Sequence, residues 1–399
     1  MLVLAPRTLL RAAWGTDIEE YFPGVRYSIA RAENRDAAFA VDADIYITNI
    51  DAVKWLAKKP KKFFAKFDTL VIDELTFYKH RTSDRSKAAA KISDHFHYRA
   101  GLTGTPNSQS ITDVWHQIYL LDNGKRLGSK FFAFRQATCT ATQIGPKAEH
   151  LSWEDKPGAE MAVANLLNDI SIRHEFEKCM DIPPNRERFM AYEPSAKLMK
   201  AYRQMEKEAI LLLKDKVVNA VNAAVLRNKL LQIASGAIYT GEGDYEFIDD
   251  GRYEFILDIV AKRKHSVVFF NWHHQRDGLT KFAKARGVEF ALIDGSVSDK
   301  RREEIRKAYQ KGFYQTLFLH PDTGAHGLTL TKGTATVWSS PVYRADFLKQ
   351  GLHRIYRGGQ TKPTETIKTE AMGTCERKVY ERVGLKSGRM SNFLEVLVG

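Results

Sequence analysis

Three stretches of this 399-residue chain carry side chains able to do chemistry. In Val71-Ile72-Asp73-Glu74 an apolar run ends in two adjacent carboxylates. At a strand end such a pair divides its work. One carboxylate holds a magnesium ion, usually through water, and the other polarises an attacking water. The same residues also read as the solvated start of a loop. In Gly101-Leu102-Thr103-Gly104-Thr105-Pro106-Asn107 the glycines let the backbone turn tightly, and the threonine hydroxyls can bridge a neighbouring carboxylate. An ordinary strand-to-helix turn, with Thr105 as N-cap and Pro106 opening the helix, accounts for those residues too. In Gln350-Gly351-Leu352-His353-Arg354-Ile355-Tyr356-Arg357-Gly358-Gly359-Gln360 the two arginines lie three apart and share one face of a helix. Two guanidiniums so placed can clamp a triphosphate whose charge spreads in the transition state, an effect worth about 10³–10⁵ in rate. A solvated basic helix end is the plain alternative.

These groups need elements to position them. LVLA (2–5), DIYITN (44–49), TLVID (69–73) and RAGLTG (99–104) read as buried strands separated by helical stretches. That alternation predicts a parallel sheet covered on both faces. Ligands of such sheets sit at the carboxyl ends of the strands, where Thr48, Asp73, Glu74 and Thr103 fall. Residues 107–180 read as helices and loops, and 186–193 as a strand. The stretch 195–235 lacks Pro and Gly and reads as helix, and the Gly- and Asp-rich 236–251 as a linker or hairpin. SVVFF (266–270), FALID (290–294), QTLFLH (315–320) and ATVWSS (335–340) then alternate with helices near 275–286, 299–311 and 345–357. The expected organisation is a first α/β lobe over 1–194, a helical linker over 195–250 and a second lobe over 251–399, with a ligand cleft between the lobes.

Composition sets limits on function. Hydrophobic residues make up 44% and charged ones 27%, as in soluble globular proteins. No apolar run is long enough to span a membrane. The N-terminal MLVLAPRTLLRAAW has neither a basic start nor a cleavage site, so it reads as a core strand and not a signal peptide. Cys139, Cys179 and Cys375 are scattered and odd in number, which points to a reducing cytoplasm. A net charge of +13 favours a polyanionic partner such as nucleic acid.

Taken together and in this order, the three stretches resemble motifs II, III and VI of the helicase superfamily-two motors, and the Swi/Snf-like branch in particular. LVLAPRTLLRAAW (2–14) resembles motif Ia and Tyr46-Ile47-Thr48-Asn49 motif Ib. Lys79 follows Asp73 by six residues, as in the family. SVVFFNWHHQ (266–275) is similar to motif IV, IDGSVSDKRREEIRKAYQ (293–310) to the family's Asp-Gly segment, and HPDTGAHGLTLTKGTATVW (320–338) to motif V. DIPPNRERFMAYEPSAKLMKAYRQME (181–206) is similar to the linker after lobe one, and VWHQIYLLDNGKRLGSKFFAFR (114–135) to phage-type members. The resemblance covers nearly the whole chain.

It implies two RecA-like parallel-sheet lobes with helical insertions and a DNA-dependent ATPase that translocates on or remodels duplex DNA without reading sequence. ATP and Mg²⁺ are the implied cofactors, and the cytoplasm of a bacterial or phage-infected cell the implied setting. Asp73 would hold magnesium through water and Glu74 would act on the attacking water. Thr103 and Thr105 would couple hydrolysis to DNA grip, and Gly327 would sit near nucleotide and DNA. Arg354 and Arg357 would be arginine fingers reaching across the cleft, supported by Gln350. Arg7, Thr8, Thr48 and Ser296 would contact the phosphate backbone, which gives affinity without sequence reading.

The chain departs from the family at one decisive place. No Gly-x-x-x-x-Gly-Lys-Ser/Thr occurs, and the nearest text, Gly124-Lys125-Arg126-Leu127-Gly128-Ser129-Lys130, has the wrong spacing. The strand that carries the loop is central in such lobes, so the first lobe is expected to be incomplete at its N-terminus, with a gap in its sheet and the exposed edges that a gap leaves. A fragment or misassigned start, a partner that supplies the loop, and a remnant that binds DNA without turning over ATP are the three explanations. Leu75-Thr76 stands for the usual Ala-His, Ala325 for a glycine and Thr329 for Asn. Three further features are read as structural. His273-His274 and His95-Phe96-His97 lack companion metal ligands, Lys58–Lys62 is a solvated loop as readily as a DNA patch, and the helix 195–235 packs against the lobes.

Overall fold

A computed structural model describes residues 1–107, 109–143, 150–174, 176–214, 220–240, 243–324 and 328–385. The first apolar runs form strands β1 (Leu2–Ala5), β2 (Tyr27–Ala30), β3 (Ile45–Asn49), β4 (Thr69–Asp73) and β5 (Tyr98–Leu102). They make one parallel sheet in the order β2-β3-β1-β4-β5. Its two faces bury alternate residues of the same strand. Leu2 and Leu4 pack into one core with Ile72 and Val53, and Val3 and Ala5 pack into another with Ile47 and Leu10. Burial on both sides is why β1 reads as an unbroken apolar run. The sheet has no internal gap. Its edge at β5 leaves Tyr98 60% and Leu102 47% exposed.

Two short strands follow, β6 (Cys139–Gln143) and β7 (Leu151–Asp155). The rest of the chain builds β8 (Asn185–Tyr192), β9 (Ala237–Tyr239), β10 (Tyr245–Phe247), β11 (Ser266–Phe269), β12 (Phe290–Ile293), β13 (Thr316–Leu319), β14 (Ala335–Trp338) and β15 (Thr364–Ala371). Six of them form a second parallel sheet in the order β12-β13-β11-β14-β15-β8. β9 and β10 pair antiparallel, so the Gly- and Asp-rich stretch is a hairpin. Among the described residues, no helix is long and apolar enough to cross a membrane.

The described residues divide into two compact units, one within Met1–Ala141 and Trp153–Arg173, the other within Thr142–Ser152 and His174–Ser387. This moves the expected boundary at 194. β8 does not close the first sheet; it pairs with β15 over eight residues, from Asn185 opposite Thr364 to Tyr192 opposite Ala371. The helices Ala196–Lys214 and Ala220–Ala234 likewise belong to the second unit and do not form a separate linker. Alternation identifies a strand but carries no information about the sheet it joins.

One buried ion pair ties the second unit together. Arg252, at the start of the helix Gly251–Ala261, and Glu376 are both fully buried and lie 2.7 Å apart. Arg252 also donates to the carbonyls of Ser339, at the exit of β14, and Ala234, at the end of a helix. The Ala371 amide, at the end of β15, donates to Glu376. Burial pushes the Glu376 carboxyl up, and Arg252 draws it back. Arg252→Met alone leaves a buried carboxylate unpaired and is expected to cost about 3–5 kcal/mol. The double change Arg252→Met, Glu376→Leu should recover most of that loss. Urea unfolding of the full chain measures both.

Candidate nucleotide and DNA site

The register of the first sheet pairs Asp73 with Leu102, so the residues that follow β4 and β5 emerge side by side. Asp73 is half-buried, and burial raises its carboxyl above the ordinary range. The Trp14 indole N–H and the Glu74 amide pull it back down. Trp14 Nε1 donates to Asp73 Oδ2 at 2.9 Å. Glu74 adopts φ 56° and ψ 58°, the left-handed region that few residues other than glycine visit. Strain of this kind collects where side chains must be aimed. Thr76 Oγ1 lies 3.4 Å from Glu74 Oε2.

The turn that follows is pinned from several sides. Tyr78 is fully buried; its hydroxyl donates to the Ile50 carbonyl at the exit of β3. The Tyr78 carbonyl accepts from Ser86 Oγ and lies 2.6 Å from His116 Nδ1. Lys79 pairs with Asp113 at 3.3 Å, which joins this turn to the helix Thr112–Asp122. The family's lysine thus has a partner at hand in the first unit.

Thr103 and Thr105 form a local turn in which the Thr105 amide donates to Thr103 Oγ1 at 3.1 Å. Thr105 is buried, but it is not an N-cap, because the helix begins at Thr112. Asp155 takes the capping role instead: it accepts from Ser110 Oγ at 2.6 Å and from the Ile111 amide at 3.0 Å. Sequence alone could not foresee a cap that comes from so far along the chain.

In the second unit Arg354 and Arg357 do not share a helical face, because the helix Ala345–Leu352 stops before them. Gly351 sits against the stacked rings of Trp338 and Phe269, where a Cβ would lie 2.6 Å from Trp338 Cζ2. Arg354 Nε donates to the Gln350 carbonyl at 2.9 Å and its Nη1 to the Leu328 carbonyl at 3.2 Å. Gln350 therefore supports Arg354 through its main chain. Arg357 is partly exposed. Gly327 lies outside the described residues.

The expected backbone contacts divide. Arg7 is exposed just beyond β1, with the partly exposed Thr8 beside it. Ser296 is exposed past β12, its hydroxyl donating to Asp294 at 2.6 Å. Thr48 is fully buried and spends its hydroxyl on the Ala30 carbonyl at 2.8 Å, so it presents nothing to a ligand. Of the histidines, His95 stacks on Phe64 and His274 lies 3.1 Å from the Tyr239 hydroxyl; no cluster of metal ligands occurs among the described residues. Within Lys58–Lys62, Lys59 covers the Trp55 ring at 3.8 Å and bonds Asp36. The residue that sequence reading missed is Trp14. Nothing in its surroundings announces an acceptor 59 positions away.

The left-handed turn at Glu74 yields a direct test. Glu74→Ala and Glu74→Gly both remove the side-chain contacts, but only glycine relieves the backbone. The glycine variant should be about 1–2 kcal/mol more stable than the alanine variant, read from urea midpoints of the full chain.

Comparison with known proteins accords with this arrangement. The model of the SNF2-related domain matches residues 1–235, and that of the helicase conserved C-terminal domain matches residues 251–359. Protein p41 of Acyrthosiphon pisum secondary endosymbiont phage 1 is 27% identical over 99% of this chain and 88% of its own length. The SWI/SNF-related matrix-associated actin-dependent regulator of chromatin subfamily A-like protein 1 of Xenopus tropicalis is 22% identical over 96% of this chain. The ISWI chromatin-remodeling complex ATPase CHR11 of Arabidopsis thaliana is 24% identical over 96%. The chain spans only 39% and 37% of these two longer relatives. A match to the SNF2-related domain over more than half of the 399 residues places this chain in the SNF2-related family.

Proposed function

We propose that this protein is the motor core of a DNA-dependent ATPase that moves along or remodels duplex DNA. The observation that carries the reading is the strained Asp73-Glu74 turn, set in register beside Thr103 in a chain of the SNF2-related family. In this reading Glu74 orients the attacking water. Arg354 and Arg357 neutralise charge that develops on the transferred phosphoryl group, and Thr103 with Thr105 senses the change. Asp73 fits magnesium, an ion bound through one or two carboxylates, waters and substrate phosphates and not by a protein cage. A carboxylate offers about four lone-pair sites, and the indole and one amide use two of them. When bound, the ion would draw charge from the phosphate oxygens.

Duplex DNA is the proposed partner on three grounds: the net charge of +13, the exposed Arg7 and Ser296 at strand exits, and the relatives' names. The reducing cytoplasm of a bacterial or phage-infected cell fits three free cysteines and a phage relative. The phosphate loop that the 399 residues lack would arrive on a strand added at the β5 edge, either upstream in the same polypeptide or on a partner. The missing loop also supports a second reading, in which the chain grips DNA without hydrolysing ATP.

ATP turnover by the full chain, with and without duplex DNA, separates the two. The motor reading expects DNA-stimulated turnover that Asp73→Ala and Glu74→Gln abolish and Arg354→Ala lowers by about 10³–10⁵. No turnover with salt-sensitive DNA binding intact establishes the second reading. In either case Arg7→Ala should flatten the plot of log affinity against log salt by about 0.9, the release expected for one lost phosphate contact.

A further inference from the structure

We infer that Trp14 is a positioning residue for the divalent cation site at Asp73, an inference that rests on the reading of Asp73 given above. Trp14 lies on a single π-helical turn, Leu10–Gly15, inserted between β1 and the helix Thr16–Tyr21. Such turns are rare and tend to mark places where one side chain must be re-aimed. Here the turn directs the indole at the end of β4, where Nε1 meets Asp73 Oδ2 at 2.9 Å.

The chemistry of the donor matters. An indole N–H donates one hydrogen bond, accepts none and carries no charge. It therefore fixes the carboxylate in one rotamer and leaves its negative charge whole. A lysine or arginine would fix it equally well but would offset the charge that attracts a cation. Other carboxylates of this protein are held in that second way: Asp113 by Lys79 at 3.3 Å and Asp294 by Arg276 at 3.5 Å. Among the described residues Asp73 makes no ion pair. Its fixed partner is neutral.

The indole is itself held. Trp14 packs against the cluster of Val3, Ala5, Leu10, Ile18 and Ile47, the core on one face of the first sheet. Behind it the turn is closely packed: a Cβ on Gly15 would lie 3.1 Å from Arg11 Cδ and 3.3 Å from the Tyr27 hydroxyl, so any side chain there would make those neighbours shift by a few tenths of an ångström. Arg11 pairs with Glu19 at 2.6 Å and Tyr27 donates to the same carboxylate, which ties the turn to the following helix and to β2. Outer groups that orient a metal-holding side chain typically account for about 10–100-fold in metal affinity.

Trp14→Phe keeps an aromatic ring against the core and removes the donor, together with part of the indole's bulk. The test is Mn²⁺ binding to the full chain in the presence of ATP, read as the free-ion electron paramagnetic resonance signal, with Mn²⁺ standing for magnesium. Wild type, Trp14→Phe and Asp73→Ala are compared, with urea midpoints measured in parallel. The expected result is about tenfold weaker binding in Trp14→Phe under conditions where its urea curve shows it fully folded. Asp73→Ala weakened with Trp14→Phe equal to wild type overturns the role of Trp14 alone. Asp73→Ala equal to wild type overturns the reading of Asp73, and this inference with it. If Trp14→Phe fails to fold, the wild-type indole resonance that shifts in Asp73→Asn replaces it. Broadening of that resonance by Mn²⁺ supports the inference, and a sharp resonance at saturating Mn²⁺ overturns it.

Discussion

In a parallel sheet every strand must leave by the same rim, because each return crosses over a face. That constraint organises the chemistry of the first unit. β1, β4 and β5 are neighbours, and their exits deliver Arg7, then Asp73 with Glu74, then Thr103 along one line. The register holds them there. Leu4 lies opposite Ile72 and Asp73 opposite Leu102. A slip of one residue in β4 would turn the Asp73 carboxylate to the other face and break its bond to Trp14. The cores on the two faces oppose that slip, since each takes alternate residues of β1 with a definite set of partners.

The two units hold polar groups in place by different means. The donors to Asp73 are neutral, an indole and an amide, while the turn beyond it is secured by buried Tyr78, its carbonyl and the Lys79–Asp113 pair. The left-handed backbone at Glu74 costs about 1–2 kcal/mol, which these surrounding contacts offset. In the second unit a buried charge pair does the joining. Arg252 links two strand exits and a helix end, but its own charge is consumed by Glu376. The first arrangement leaves the Asp73 charge available to the proposed cation; the second serves only to hold elements together.

Much of this was legible in the sequence, for a physical reason. Strands buried on both faces are apolar without interruption, so LVLA, TLVID and SVVFF predict β1, β4 and β11 almost to the residue. β15 was not legible, because its buried positions are partly threonines. Thr364 spends its hydroxyl on Asn185 and Thr369 on the Trp338 carbonyl, so both read as polar yet sit inside. The paired carboxylates and the arginines were found by type and spacing. Their surroundings were not. Helix periodicity could not show that the helix ends at Leu352, before Arg354. Nor could it show the bond from Trp14 to Asp73 or the capping of Ile111 by Asp155. Each depends on contacts between residues far apart in the chain.

The edge at β5 bears on how a nucleotide could be held. An exposed parallel edge usually carries charge or is covered, because its free amides and carbonyls template further pairing. β5 instead shows Tyr98 and Leu102 to solvent, and its one charged residue, Arg99, is turned to the Asn123 side chain and the Leu120 carbonyl. Adjacent strands stand about 4.8 Å apart. A strand added at β5 would therefore end about one spacing from Thr103 and two from Asp73. In the proposed reading, phosphates cradled by a loop at that end would lie near the ion proposed for the Asp73 carboxylate. Among the described residues β5 has no strand on its outer side, and the proposed reading, in which a phosphate-binding loop lies beyond β5, is compatible with that edge.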